Sequence, residues 1–125
     1  MQNQETTQQP HLNEEHITLL ISLSEENPRK LIENLLETYK TSWARHIESI
    51  KKACAEKDAK ALRSPVHLIN GSSANLGFQR LSLTCRRIED EIETGVYNDF
   101  ENCVQQLEEE YEVTLKKLEA FLERN

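Results

Sequence analysis

The stretch HLINGSSANLGFQRLSLTCRRIE, residues 67–89, decides the fold. Its first ten residues continue an apolar pattern from upstream. Leu62, Val66, Ile69, Ser73 and Leu76 fall within about 40° of one direction when wound at about 100° per residue. Gly77 suits a left-handed helix terminator, because glycine enters that conformation without a Cβ penalty. Past Phe78 the pattern restarts, and Leu81, Cys85, Ile88 and Ile92 make the apolar face of a helix from about Gln79 to Thr94. The segment reads as a helical hairpin with one face to bury.

The reading extends in both directions. Upstream, Asp58 after the break at 56–58 can cap the helix that runs into residue 67. Before it, Leu31, Leu35, Tyr39, Trp43, Ile47, Ile50 and Cys54 recur at spacings of three and four, the face of a long helix. Asn27 followed by Pro28 is its start signal, a capping side chain and then proline at the first helical position. Asn13 can cap a short first helix to about Ser22, with Ile17, Leu20 and Ile21 on one side. Downstream, Gly95 ends the fourth helix, and Asn98 with Glu101 resembles a capping box that opens the last. Its apolar face is Val104, Leu107, Tyr111, Leu115, Leu118 and Leu122.

The expectation is an all-α protein, an antiparallel four-helix bundle with a short extra N-terminal helix. A heptad coiled coil is the competitor, but three stop signals cut the chain into bundle-length pieces. Residues 1–12 are polar and read as a flexible N-terminal tail, leaving 13–125 as one domain.

Composition narrows the function classes. Fifteen basic and 22 acidic residues give a formal net charge of −7, which disfavours whole-surface binding to nucleic acid or anionic membranes. Cys54, Cys85 and Cys103 have wide spacings and no CxxC pair, so they read as buried free thiols rather than a disulfide framework or zinc site. His11, His16 and His46 form no metal-binding pattern, and no HExxH occurs. With no apolar segment of signal-peptide or membrane-spanning type, a cytoplasmic protein is expected. The phosphate-binding GxxxxGK loop, the glycine-rich ATP lid and the nucleophile elbow of hydrolases are all missing from the sequence.

On the helical wheel His67 lies about 140° from the core direction, and Ser64, Gly71 and Ala74 are the small residues around it. A solvated helix face in this chain otherwise carries Glu, Lys and Arg, so the patch around the histidine is cleared. The bland reading is an exposed histidine with small neighbours by chance. Pro65, two residues earlier, removes one backbone hydrogen bond and predicts a kink. Glu89 has two readings at this level: a surface acid paired with Arg86, or a partner for a histidine on the neighbouring helix.

Residues 67–89 resemble the signature of histidine-containing phosphotransfer (HPt) domains, roughly H-x-L-K-G-S-[SA]-x-x-[LV]-G followed by a leucine and a C-x-x-[LI]-E-like ending. NPRKLIENLLETY (27–39) and AEKDAKALRSPVH (55–67) resemble the family's second helix and its turn into the histidine helix. The resemblance implies a four-helix bundle that carries a phosphoryl group on His67 between receiver-domain aspartates in a multistep two-component phosphorelay. It implies a phosphocarrier rather than an enzyme, with a hybrid sensor histidine kinase and response-regulator receivers as partners. The protein itself would need no cofactor or metal, Mg²⁺ being held by the receiver, and a monomer is expected.

Carried over by position, His67 matches the phosphoacceptor and Glu89 the residue that orients the imidazole. Gly71 matches the glycine that lets the partner approach, and Ser72 and Ser73 match the small polar pair. Asn70 departs from the pattern, which has lysine beside the phosphoryl oxygens, and Arg63 is the candidate to replace that charge. Lys60, Arg63, Ser64, Ala74 and Arg80 are candidates for contact with an acidic receiver site. The alternative is a non-transferring HPt-like module that binds receivers or a kinase, a reading that rests on Asn70.

Overall fold

The computed structural model describes residues 9–25 and 27–124. Five helices follow one another: α1 Glu14–Ser22, α2 Pro28–Ala55, α3 Ala59–Leu76, α4 Gln79–Glu93 and α5 Phe100–Arg124. The four long ones form a ring in which α2 packs on α3, α3 on α4, α4 on α5 and α5 on α2, while α1 leans on α2. This is the expected bundle with its short first helix. Among the described residues no helix is long and apolar enough to cross a membrane.

Local signals place the starts of three helices. Asn13, Asn27 and Asp58 each accept a hydrogen bond from the backbone N–H three residues on, at 3.0–3.1 Å, so each satisfies one orphan donor of its helix. Helix α3 is continuous through Pro65, which is buried. The last helix departs from expectation, because it begins at Phe100 and the Asn98–Glu101 box does not organise it. Tyr97 is buried edge-on against Phe100, and its hydroxyl donates to the Asp99 carbonyl at 2.9 Å. Those contacts hold the chain out of the helix until Asp99, whose carboxylate accepts from Asn102 at 2.9 Å.

The core stripe of α2 is Ile32, Leu36, Tyr39, Trp43, Ile47, Ile50 and Cys54, so Leu31 is only half-buried and Leu35 is exposed. At the centre Trp43 stacks on Tyr111 with ring centroids 4.1 Å apart, and Tyr39 meets Phe78 edge-on at 5.0 Å. The Tyr39 hydroxyl and Ser73 Oγ share a buried hydrogen bond of 2.8 Å. These contacts join α2 to α3, to the α3–α4 turn and to α5. Cys54, Cys85 and Cys103 are free and buried, as read from their spacing.

Residues 9–12 correct the tail reading. Leu12 is buried, Gln79 donates to the Gln9 side chain at 2.8 Å, and Arg80 Nε donates to the Gln9 carbonyl at 2.8 Å. The segment therefore packs on α4, because Leu12 brings apolar area and Gln9 brings acceptors that the polar composition concealed. Residues 1–8 lie outside the described residues.

The seam between α4 and α5 is polar. Thr84 and Glu110 face each other there from the two helices, and Thr114 Oγ1 is buried with no hydrogen-bond partner among the described residues. Burial holds the Glu110 carboxyl above its ordinary value, and its polar neighbours and the guanidiniums of Arg80 and Arg87 offset only part of that. The folded chain therefore keeps this proton more firmly than the unfolded chain does. Stability falls as pH rises from the ordinary carboxylate value through the folded one. Glu110→Gln keeps the shape without the ionisation, so it is expected to raise Tm at pH 7 by more than at pH 4 in paired thermal melts.

Candidate functional site

The α3–α4 hairpin turns at Gly77 and Phe78, and its register brings together residues equally distant from that turn. His67 and Glu89 stand eleven positions either side of Phe78, and Arg63 and Glu93 fifteen. Both pairs meet. His67 Nδ1 lies 2.9 Å from Glu89 Oε1, and Arg63 donates to Glu93 Oε1 at 2.6 Å.

The first pair is lopsided in its surroundings. The His67 side chain is 63% exposed and that of Glu89 only 11%. An ionised carboxylate can only accept a hydrogen bond, so in this contact the proton sits on Nδ1. In the neutral ring the other nitrogen, Nε2, then keeps its lone pair. Glu89 thus takes the second of its two readings, partner to a histidine on the next helix rather than to Arg86.

Around the ring the helix is bare. Lys60, Ser64, His67, Gly71 and Ala74 are all exposed along α3. A Cβ built on Gly71 meets nothing within 4 Å, so no internal contact requires glycine there. Leu68, 49% exposed beside His67, is the large apolar side chain at this edge.

Several expected site residues are engaged elsewhere. Ser73 is fully buried on Tyr39, and Ser72 Oγ donates back to the carbonyls of Leu68 and Ile69, so neither hydroxyl reaches the histidine. Arg63 is tied to Glu93 and does not stand as a free substitute for the lysine charge. Arg80 is removed from the receiver-facing group altogether. It is half-buried and donates to Gln9 and His11 of the N-terminal segment, because position 80 lies on the opposite side of α4 from Glu89.

Asn70 is held in place. Ser82 Oγ donates to its Oδ1 at 2.6 Å, which turns the carboxamide oxygen toward α4 and leaves the NH₂ as the group free to donate. Ser82 and Glu93 were missed by sequence reasoning. The signal for Glu93 was available: once Phe78 is taken as the hairpin's centre, Arg63 and Glu93 fall into register just as His67 and Glu89 do. Ser82 offered no such signal, since a serine on a helix carries many possible partners.

Residues 34–122, which include the whole hairpin and the His67–Glu89 contact, match the Hpt domain family. The chain belongs to the Hpt domain family. Hpt domains are histidine phosphotransfer modules of phosphorelays, phosphocarriers rather than enzymes in the usual sense. Among solved structures, the histidine-containing phosphotransfer protein B (HptB) of Pseudomonas aeruginosa PAO1 superimposes with a TM-score of 0.76 at 24% identity. That alignment covers 93% of this chain and 97% of HptB, a likeness of fold. No curated protein matches the chain.

Glycine within a helix costs about 1 kcal/mol relative to alanine, and at position 71 an added methyl has open space. Gly71→Ala is therefore expected to stabilise this Hpt domain by up to about 1 kcal/mol in urea unfolding, with an unchanged m-value.

Proposed function

We propose that His67 accepts and returns a phosphoryl group in exchange with receiver-domain aspartates, as a carrier in a multistep phosphorelay. The observation that supports this most is the 2.9 Å contact between an exposed imidazole and a buried carboxylate, which leaves Nε2 free at the surface. In the forward step the Nε2 lone pair attacks phosphorus of a receiver aspartyl phosphate. The N–P bond forms as the P–O bond breaks, and the aspartate leaves with that electron pair. The ring gains positive charge as it does so, and Glu89, accepting from Nδ1–H, stabilises that charge and keeps the ring aimed outward. Return transfer runs the same path backwards, a receiver carboxylate attacking phosphorus.

The surroundings fit this role. Gly71, Ser64 and Ala74 keep the approach open, Leu68 adds apolar area and Lys60 a charge for an acidic receiver surface. Mg²⁺ is assigned to the receiver, and phosphate enters the relay from a hybrid sensor kinase. Asn70 replaces a cation by a hydrogen-bond donor. An exposed ion pair is worth about 0.2–1 kcal/mol, so the loss amounts to a factor of about five at most in an equilibrium. On that arithmetic Asn70 tunes transfer rate or phosphohistidine lifetime and leaves the reaction intact. The second reading, a receiver-binding module that carries no phosphate, is favoured by the missing charge at position 70 alone.

Incubation with a phosphorylated receiver is expected to give acid-labile, base-stable phosphate on the wild-type chain and none on His67→Gln. Binding to receivers without any such labelling would replace the carrier reading by the second. Glu89→Ala is expected to slow transfer about a hundredfold or more, the usual range for a positioned acid–base partner. Glu89→Gln, which still accepts from Nδ1–H but lacks the charge, should fall between the two in single-turnover transfer. Asn70→Lys is expected to lengthen phosphohistidine half-life by up to about fivefold. If both lifetime and transfer rate stay unchanged, Asn70 does not tune the site.

A further inference from the structure

A second polar site lies away from His67. Between the N-terminal segment, α4 and α5 is a cleft of about 320 Å³ whose charged lining is His11, Glu14, Arg80, Lys117 and Arg124. Arg80 stands nine residues before Glu89, about half a revolution round α4 at about 100° per residue, so the cleft opens on the far side of that helix from the His67 face.

Its charge is out of balance. Among the described residues that line it, three permanent cations face one carboxylate, in a chain whose formal net charge is −7. Arg124 meets Glu14 at 3.4 Å, an exposed pair of the weak kind. Neither Arg80 nor Lys117 forms an ion pair with any described residue. Instead Arg80 is held by neutral acceptors, the Gln9 carbonyl at 2.8 Å and His11 Nε2 at 3.2 Å. Glu110 acts on Arg80 from the α4–α5 seam behind the cleft, where burial raises its carboxyl above the ordinary value, and it does not line the cleft itself. An arginine arranged on neutral groups leaves N–H donors for an anion, and the guanidinium fork matches the geometry of phosphate oxygens.

We propose that this cleft binds a small dianionic oxyanion of the phosphate class, held by Arg80, Lys117 and Arg124. A dianion would offset the excess of cations in the lining, and the volume leaves room for a small organic group on the phosphate. The field inside the cleft agrees with this assignment. His11 titrates down at about 4, first through burial and then through the positive charges of Arg80 and Lys117. The site is separate from phosphotransfer, since His67 takes no part in it.

The test is a titration of the full chain at constant ionic strength, followed by NMR of the His11 ring and the backbone amides of 80 and 117. One arm uses inorganic phosphate, one uses glycerol 3-phosphate as a monoester, and one uses chloride. Saturable shifts at these positions with phosphate, absent with chloride, and a His11 midpoint moved upward are the expected results. A tighter fit for the monoester would identify an organic phosphate as the natural class, and equal affinity would identify the free ion. Lys117→Gln, at an exposed position, is expected to weaken binding about fivefold, and His67→Gln to leave it unchanged. Shifts that do not saturate, that match those of chloride, or that survive Lys117→Gln at full affinity would overturn the site, whatever the outcome for transfer at His67.

Discussion

The left-handed turn at Gly77 is the constraint on which the rest of this molecule depends. Its φ of +80° is open to glycine at little cost, and the position is crowded as well. A Cβ there would stand 3.1 Å from Ile17 Cγ1 and 3.2 Å from the Asn13 carbonyl. The Gly77 carbonyl accepts from Asn13 N–H at 2.7 Å, and His16 Nε2 lies 2.8 Å from the Asn75 carbonyl, so α1 is seated on this turn. Phe78 follows, fully buried, with its N–H bonded to the Ser73 carbonyl at 2.8 Å. The chain therefore reverses at one place and in one register, and that register is what sets Glu89 opposite His67.

From that register the site divides into a rigid and an open half. Glu89 is buried beside the interface of α3 and α4, where packing holds its carboxylate still, while the imidazole it meets stands out in solvent. Under the proposed transfer, a positioning group gains from burial because its orientation is set before reaction, and a reacting group must be reached by another protein. Gly71 belongs to the open half, and the helix gives up some stability to keep that surface clear. Arg63–Glu93 and Asn70–Ser82 reinforce the same helix pair from either side of His67, so the hairpin is cross-linked along its exposed seam. By contrast the α4–α5 seam buries the polar groups of Thr84, Glu110 and Thr114, while ring contacts of Tyr39, Trp43, Phe78 and Tyr111 fill the centre of the core.

Much of this was legible in the residues because it is local. The caps at Asn13, Asn27 and Asp58 act within one turn, and the positive φ of Gly77 and Gly95 answers to backbone sterics alone. The outward position of His67 follows from helical periodicity, which any packing arrangement preserves. The assignment of Leu35 to the core failed for a related reason. Spacings of three and four admit two stripes one residue apart at the start of α2, and only the helices packed against it choose Ile32 and Leu36 over Leu31 and Leu35. The Asn98–Glu101 box failed because burial of Tyr97 outweighed a local capping preference.

What the sequence determined by itself was the set of helices, all their ends but the start of the last, and the exposed histidine with its cleared surroundings, since each rests on interactions within a few residues. Tertiary structure alone decided which polar groups are spent and which are left to act. Ser73 went to Tyr39, Arg63 to Glu93, Asn70 to Ser82 and Arg80 to Gln9 and His11, through contacts 12 to 71 positions apart. A polar side chain on a helix surface has several partners within reach in three dimensions and none marked in the chain. Which one it takes depends on the register and rotation of its neighbour, and those are set by burying the core.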